Sequence, residues 1–149
     1  MENIVWKISR FEELSVEELY GILHLRTDAF VMEQNVAYQD MDYKDQRAIH
    51  VHGYIDGKLV GYCRVFKAGD YFDEVSIGRV IIDRQFRGQG YAHDLMRQVL
   101  KWIETEWNDR RVTISAQAHL ENFYEQHGFF RVGENYIEDT IPHVKMRLM

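Results

Sequence analysis

The sequence predicts a mixed α/β fold, a sheet flanked by helices, on three observations. Apolar runs and helical stretches follow one another in the order β-α-β-β-β-α-β-α-β-β. Two adjacent runs are joined by Asp56-Gly57, a pair that favours the positive φ of a hairpin turn. Other runs are separated by whole helices, which crossovers require. Hairpins and crossovers in one chain give a mixed sheet.

Asn3–Ile8 alternates weakly and opens the chain as a strand. Ser15 stands three residues before Glu18, a capping box, and Leu19, Ile22, Leu23, Ala29 and Phe30 carry helical spacing to about Glu33. Gln34–Arg47 is a polar loop or broken helix, and long loops are often functional. Ala48–Tyr54 and Leu59–Phe66 form the hairpin. Ala68-Gly69-Asp70 turns into a strand from about Glu74 to Asp83. Tyr91, Leu95, Val99, Trp102 and Ile103 mark one helical face ending near Trp107. Asn108-Asp109 turns into the strand Arg111–Ala116, and a helix over Leu120–His127 stops at Gly128. Phe129–Gly133 and His143–Leu148 read as terminal strands.

The 149 residues, 46% hydrophobic and 13% aromatic, suffice for one packed core, so residues 1–149 are expected to form a single domain. A net charge of −6 without a long basic run argues against nucleic acid as a partner. The absence of a leader pattern or a membrane-length apolar run predicts a cytoplasmic protein with no membrane partner. Cys63 is the single cysteine, so no internal disulfide forms; within an apolar run it reads as a small buried hydrophobe.

The most informative stretch is Ile77–Ala92, where a β-branched run breaks into a basic, glycine-bearing loop followed by a helix. Helix N-termini present unpaired N–H groups and a positive dipole end to anions. Gly88 and Gly90 allow close backbone approach, and Arg84 and Arg87 add charge-assisted donors. The P-loop pattern is absent, and Gly88-x-Gly90 lacks the third glycine and acidic partner of a dinucleotide fingerprint.

Arg87-x-x-Gly90-x-Ala92 after a strand resembles the pyrophosphate motif of the GNAT acetyltransferases. Ile77–Asp83 resembles that family's fourth strand, Ile114–His119 its fifth, and Asn122–Phe129 its tyrosine-bearing helix end. Arg26-x-x-x-Phe30-Val-x-Glu33-Gln34, Tyr38-Gln39-Asp40 and Ile141-Pro142-His143 are similar to the ElaA-type branch. The resemblance implies a mixed, mostly antiparallel sheet of six or seven strands. It also implies acetyl transfer from acetyl-CoA, as cosubstrate, to a small-molecule or peptide amine by direct attack in a ternary complex. Arg87, Gly88, Gln89, Gly90, Tyr91 and Ala92 would cradle the pyrophosphate, and backbone near Val80 and Ile82 would hold the pantetheine arm. Gln117 replaces the family's usual Asn but can still donate to that arm, with Asn122 nearby. Tyr124 takes the general-acid position. A non-catalytic acyl-CoA sensor on the same fold is the alternative, and a nucleotide-phosphate binder a third.

His119, His143 and Glu74 are candidate general bases, with Glu33 a rival acting through water. His50 and His52 share a strand face, but without a third ligand pattern no metal site is expected. Arg26 and Glu33 lie two helical turns apart on one face. Asp40, Asp42 and Asp45 read as a solvated loop. The oligomeric state stays open, with a homodimer as one option.

Overall fold

Asp56 (φ 49°) and Gly57 (φ 78°) both adopt positive φ, the mirror-image turn that matches strand twist. They join β2 (Ile49–Ile55) to β3 (Lys58–Phe66). In this computed structural model, which describes residues 3–149, β1 (Val5–Arg10) pairs outside β2 and β4 (Val75–Ile82) outside β3. The first two residues of the expected domain lie outside the described residues. These four antiparallel strands form one arm of the sheet.

The second arm is built on β8 (Ile141–Leu148), which pairs antiparallel with β5 (Val112–Gln117). Two short strands, β6 (Phe130–Arg131) and β7 (Tyr136–Glu138), share its other edge. The sheet thus has eight strands rather than six or seven. The unforeseen one is β7. Its turn to β8 places Asp139 (φ 49°) and Thr140 (φ 65°) in the left-handed region, where a sequence reader looks for glycine.

The arms meet where β4 and β5 run parallel, paired only at Val75–Val112 and Ser76–Thr113. Beyond that point they part. A bulge in β4 contributes: Tyr62 faces Ile81 and Arg64 faces Gly78, so Cys63 stands opposite both Arg79 and Val80. Such an extra residue bends its strand, and Arg79 takes φ 53° to make it.

Helices cover both faces. Ser15 caps α1 (Val16–Arg26): Glu18 N–H donates to Ser15 Oγ (3.0 Å) and Ser15 N–H to Glu18 Oε1 (2.9 Å). A π-helical segment, Thr27–Glu33, continues it, so the helical stretch ends where expected but widens in its second half. Ile22, Leu25 and Ala29 pack against Tyr62 and Ile81 on that face. On the opposite face α2 (Tyr91–Trp107) buries Leu95, Met96, Val99 and Ile103 against both arms. Trp6 Nε1 donates to Asp94 Oδ2 (2.7 Å), tying α2 to the edge strand. A single 3-10 turn leads into α3 (Glu121–Glu125), shorter than the sequence suggests. Cys63 lies in the α2-side core, where burial pushes its thiol pKa up. No helix among the described residues is long and apolar enough to cross a membrane.

Candidate active site

The divergence of β4 and β5 opens a cleft of about 680 Å³. Its base is the loop leading into α2. Gly88 (φ 78°) and Gly90 (φ 88°) shape that loop, and nothing lies within 4 Å of where either Cβ would be. Glycine serves backbone conformation here, and the space before the loop is open. Gly90 precedes the first turn of α2, whose N–H groups have no intrahelical partners. That arrangement fits a phosphate.

Arg87 borders the cleft, but its guanidinium is engaged: Nε donates to the Ile82 carbonyl (2.9 Å) and Nη2 to Glu33 Oε1 (2.9 Å). Arg84 Nη2 lies 3.6 Å from the same carboxylate. The hydrogen bond from Arg87 is the main cause holding the Glu33 pKa below its ordinary value. Arg87 is therefore a brace between the π-helical segment and the loop, which leaves the backbone as what the loop offers an anion. Tyr91 and Ala92 border the cleft, while Gln89 does not.

Backbone donors on β4 follow from strand alternation. Asp83 N–H bonds to the Val60 carbonyl on β3 (2.8 Å), so the Ile82 N–H points the other way, on a strand whose Val80 also borders the cleft. That side is the cleft, and the Ile82 carbonyl held by Arg87 faces it too.

Tyr124 borders the cleft from α3 and is 5% exposed. Burial pushes its phenol pKa up, so the hydroxyl stays protonated. Gln117 faces it from β5 and accepts from Gln34 Nε2 (3.0 Å), a link across the opening. Asn122 is exposed on α3 and does not border the cleft.

The candidate bases separate clearly. His119 borders the cleft and is exposed. His143 borders it and is 7% exposed. Its Nδ1 lies 2.7 Å from the Ile141 carbonyl; a carbonyl only accepts, so Nδ1 carries the proton and the neutral ring keeps its lone pair on Nε2. That nitrogen lies 3.5 Å from Glu138 Oε2. Glu74 is at the closed end, where β4 and β5 still pair. It accepts from Thr113 Oγ1 (2.6 Å) and does not reach the cleft.

The residue 34–47 loop is not solvated as its composition suggests. Asp40 and Asp45 are 5% and 6% exposed, because three arginines meet them. Arg26 Nε donates to Asp40 Oδ2 and Nη1 to Asp45 Oδ1, both at 2.8 Å. Arg64 Nη1 shares Asp45 Oδ1 (2.8 Å) and Nη2 reaches Asp42 Oδ2 (2.6 Å). Arg79 Nε donates to Asp40 Oδ1 (2.6 Å), holding the bulge. Burial alone would raise the Asp45 pKa, but the Arg26 charge and the arginine hydrogen bonds outweigh it and hold it low. Arg26 thus pairs with this loop, not with Glu33. His50 belongs to the same cluster: Nε2 donates to the Asp45 carbonyl (2.9 Å) and Nδ1 accepts from the Tyr62 hydroxyl (2.6 Å). His52 bonds Ser9 Oγ (2.9 Å) and Tyr54 OH (2.8 Å).

Sequence reasoning passed over Glu138, because the turn that presents it lacks glycine. It also passed over the contact between His93 Nδ1 and His127 Nε2 (2.7 Å), which bridges α2 and the turn after α3. Their spacing of 34 carries no periodic signal.

A family model described as an acetyltransferase (GNAT) domain matches residues 13–149. Protein ElaA of Escherichia coli (strain K12) is 43% identical over 145 residues, covering 96% of this chain and 95% of that protein. A crystal structure of an acyl-CoA N-acyltransferase from Pseudomonas aeruginosa superposes with a TM-score of 0.93 at 40% identity, covering 99% of this chain and 100% of that one. The crystal structure of Escherichia coli ElaA gives 0.92 at 41% identity with the same coverage.

Proposed function

Because the chain belongs to the GNAT acetyltransferase family, we propose that it transfers an acetyl group from acetyl-CoA to a primary amine within a ternary complex. The observation that carries this reading is that an open glycine loop, the stretch of β4 beyond its pairing with β5 and a protonated Tyr124 all border one cleft.

Acetyl-CoA supplies the thioester, whose acyl group is the one transferred. The α2 N-terminus and residues 88–92 seat its diphosphate. The N–H groups of Val80 and Ile82 orient the pantetheine arm and polarise the acyl carbonyl. His143 Nε2 takes one proton from the acceptor ammonium, freeing the lone pair for attack. As the C–N bond forms and the C–S bond breaks, Tyr124 gives its proton to the departing sulfur. The second proton lost by nitrogen restores the tyrosine, so the products are amide, CoA thiol and one proton on His143. Direct attack fits the state of Cys63, the single cysteine, whose thiol is buried and its pKa raised.

Thermal shift with acetyl-CoA and with ATP, followed by thiol release across an amine panel, tests the reading. Acetyl-CoA should stabilise the protein and ATP should not. Stabilisation by acetyl-CoA without thiol release from any amine would identify an acyl-CoA sensor instead.

A further inference from the structure

Resting on that acetyltransfer reading, we infer that Glu138 anchors the ammonium of an acceptor carrying no carboxylate beside its amine, an alkyl or arylalkyl primary amine rather than an amino acid.

Glu138 ends β7 and borders the cleft. Ser115 Oγ donates to its Oε1 (3.4 Å), and His143 Nε2 lies 3.5 Å from its Oε2. Ser115 also bonds the Tyr136 hydroxyl, and the Tyr136 ring stacks on His143 at 6.1 Å and 24°. The carboxylate is positioned by its neighbours yet 46% exposed, so most of its acceptor sites are open. The His143 side chain is nine-tenths buried, with Nδ1 committed and Nε2 beyond hydrogen-bond distance of Glu138. An ammonium placed between them would bond the carboxylate and offer a proton to Nε2.

The charge balance of the cleft sets the substrate class. The arginines that border it are already committed: Arg64 to Asp42 and Asp45, Arg79 to Asp40, Arg87 to Glu33. Lys145 stacks over Phe72 at 5.1 Å and borders an adjoining depression, not the cleft. Among the described residues, the one buried side-chain donor without a partner on these arginines is Arg64 Nε, and it is out of reach of a substrate carboxylate. Such a group on the amine-bearing carbon would face Glu138 across a partly desolvated space, where like charges repel strongly. The remaining wall offers aromatic surface from Phe30, Tyr38, Tyr71 and Phe72, suited to an apolar chain.

Phenethylamine and phenylalanine differ only by that carboxylate and give a matched test. Calorimetric binding to the CoA complex and thiol release from acetyl-CoA are measured in parallel, for the wild type and for Glu138→Gln. The wild type should prefer phenethylamine by about tenfold or more in both readouts. Glu138→Gln should weaken phenethylamine by about tenfold, mainly in KM, and shrink the preference to about threefold or less. An unchanged melting temperature in the variant separates anchoring from a structural role. Equal binding of the two ligands by the wild type, an unaltered preference in Glu138→Gln, or no amine binding at all overturns the proposal. The expected binding pattern without thiol release would keep the anchor and overturn acetyltransfer, so the two failures are distinct.

Discussion

The two arms of the sheet turn polar residues to the same side, away from α2, and treat them in opposite ways. On the β1–β4 arm, Arg26 and Arg64 are buried against Asp40 and Asp45, and Asp42 and the half-buried Arg79 complete the cross-linking. On the β5–β8 arm, Ser115, Gln117, His143 and Glu138 line an open cleft. A buried charge is tolerated only when partnered, so the first arm is constrained to one arrangement. That arrangement holds Arg79 at positive φ and so keeps β4 bent away from β5. The second arm packs through apolar contacts on its other face, which leaves the polar one with spare hydrogen-bonding capacity. Mutations in the first arm should therefore move stability, and mutations in the second activity.

The sharpest way to break this contrast is Asp45→Ala. It strips a shared partner from Arg26 and Arg64 and should cost about 3–5 kcal/mol in urea denaturation. A loss below about 1 kcal/mol would show that the cluster does not hold the arm.

Tyr124→Phe probes the other side. Turnover should fall by about a hundredfold, with acetyl-CoA affinity by calorimetry nearly unchanged. Unaltered turnover with an accepted amine would remove Tyr124 from the chemistry.

The arms should also differ in acid. Burial is the main cause holding the His52 pKa down to about 4, against an ordinary 6.5. The unfolded chain thus binds this proton below pH 6.5, the folded chain only near 4. Stability is full above 6.5 and should fall by about 1–3 kcal/mol as the pH drops to 4. His52→Gln should flatten this part of the profile. An unchanged slope would place the titrating group elsewhere.

The smallest effect is expected at the joint between cofactor loop and helix. Glu33→Gln releases Arg87 and removes a negative charge beside the anion seat, so CoA should bind about threefold to tenfold tighter by calorimetry. Weaker binding would mean that Glu33 holds Arg87 in the pose the diphosphate needs.

Local chemistry made much of this legible in advance. Asp56-Gly57, the capping box at Ser15 and the apolar stripe of α2 each depend on residues a few positions apart, and their elements form where expected. The glycine loop before α2 was readable for the same reason, and it borders the cleft. Arg87 could be placed in that loop but not its partner, because Glu33 lies 54 residues away.

The sequence by itself determined seven of the eight strands, the hairpin turn and the glycine-bearing start of α2, since backbone preference and periodicity act over short spans. Tertiary structure alone decided the rest. Asp40, Asp42 and Asp45 look solvated until α1, β3 and β4 bring three arginines to them, and Glu74 looks catalytic until β5 pairs beside it. Glu138 carries no signal until β8 sets it beside His143. Burial and charge pairing depend on neighbours distant along the chain, so these assignments arise only when the two arms close around the cleft.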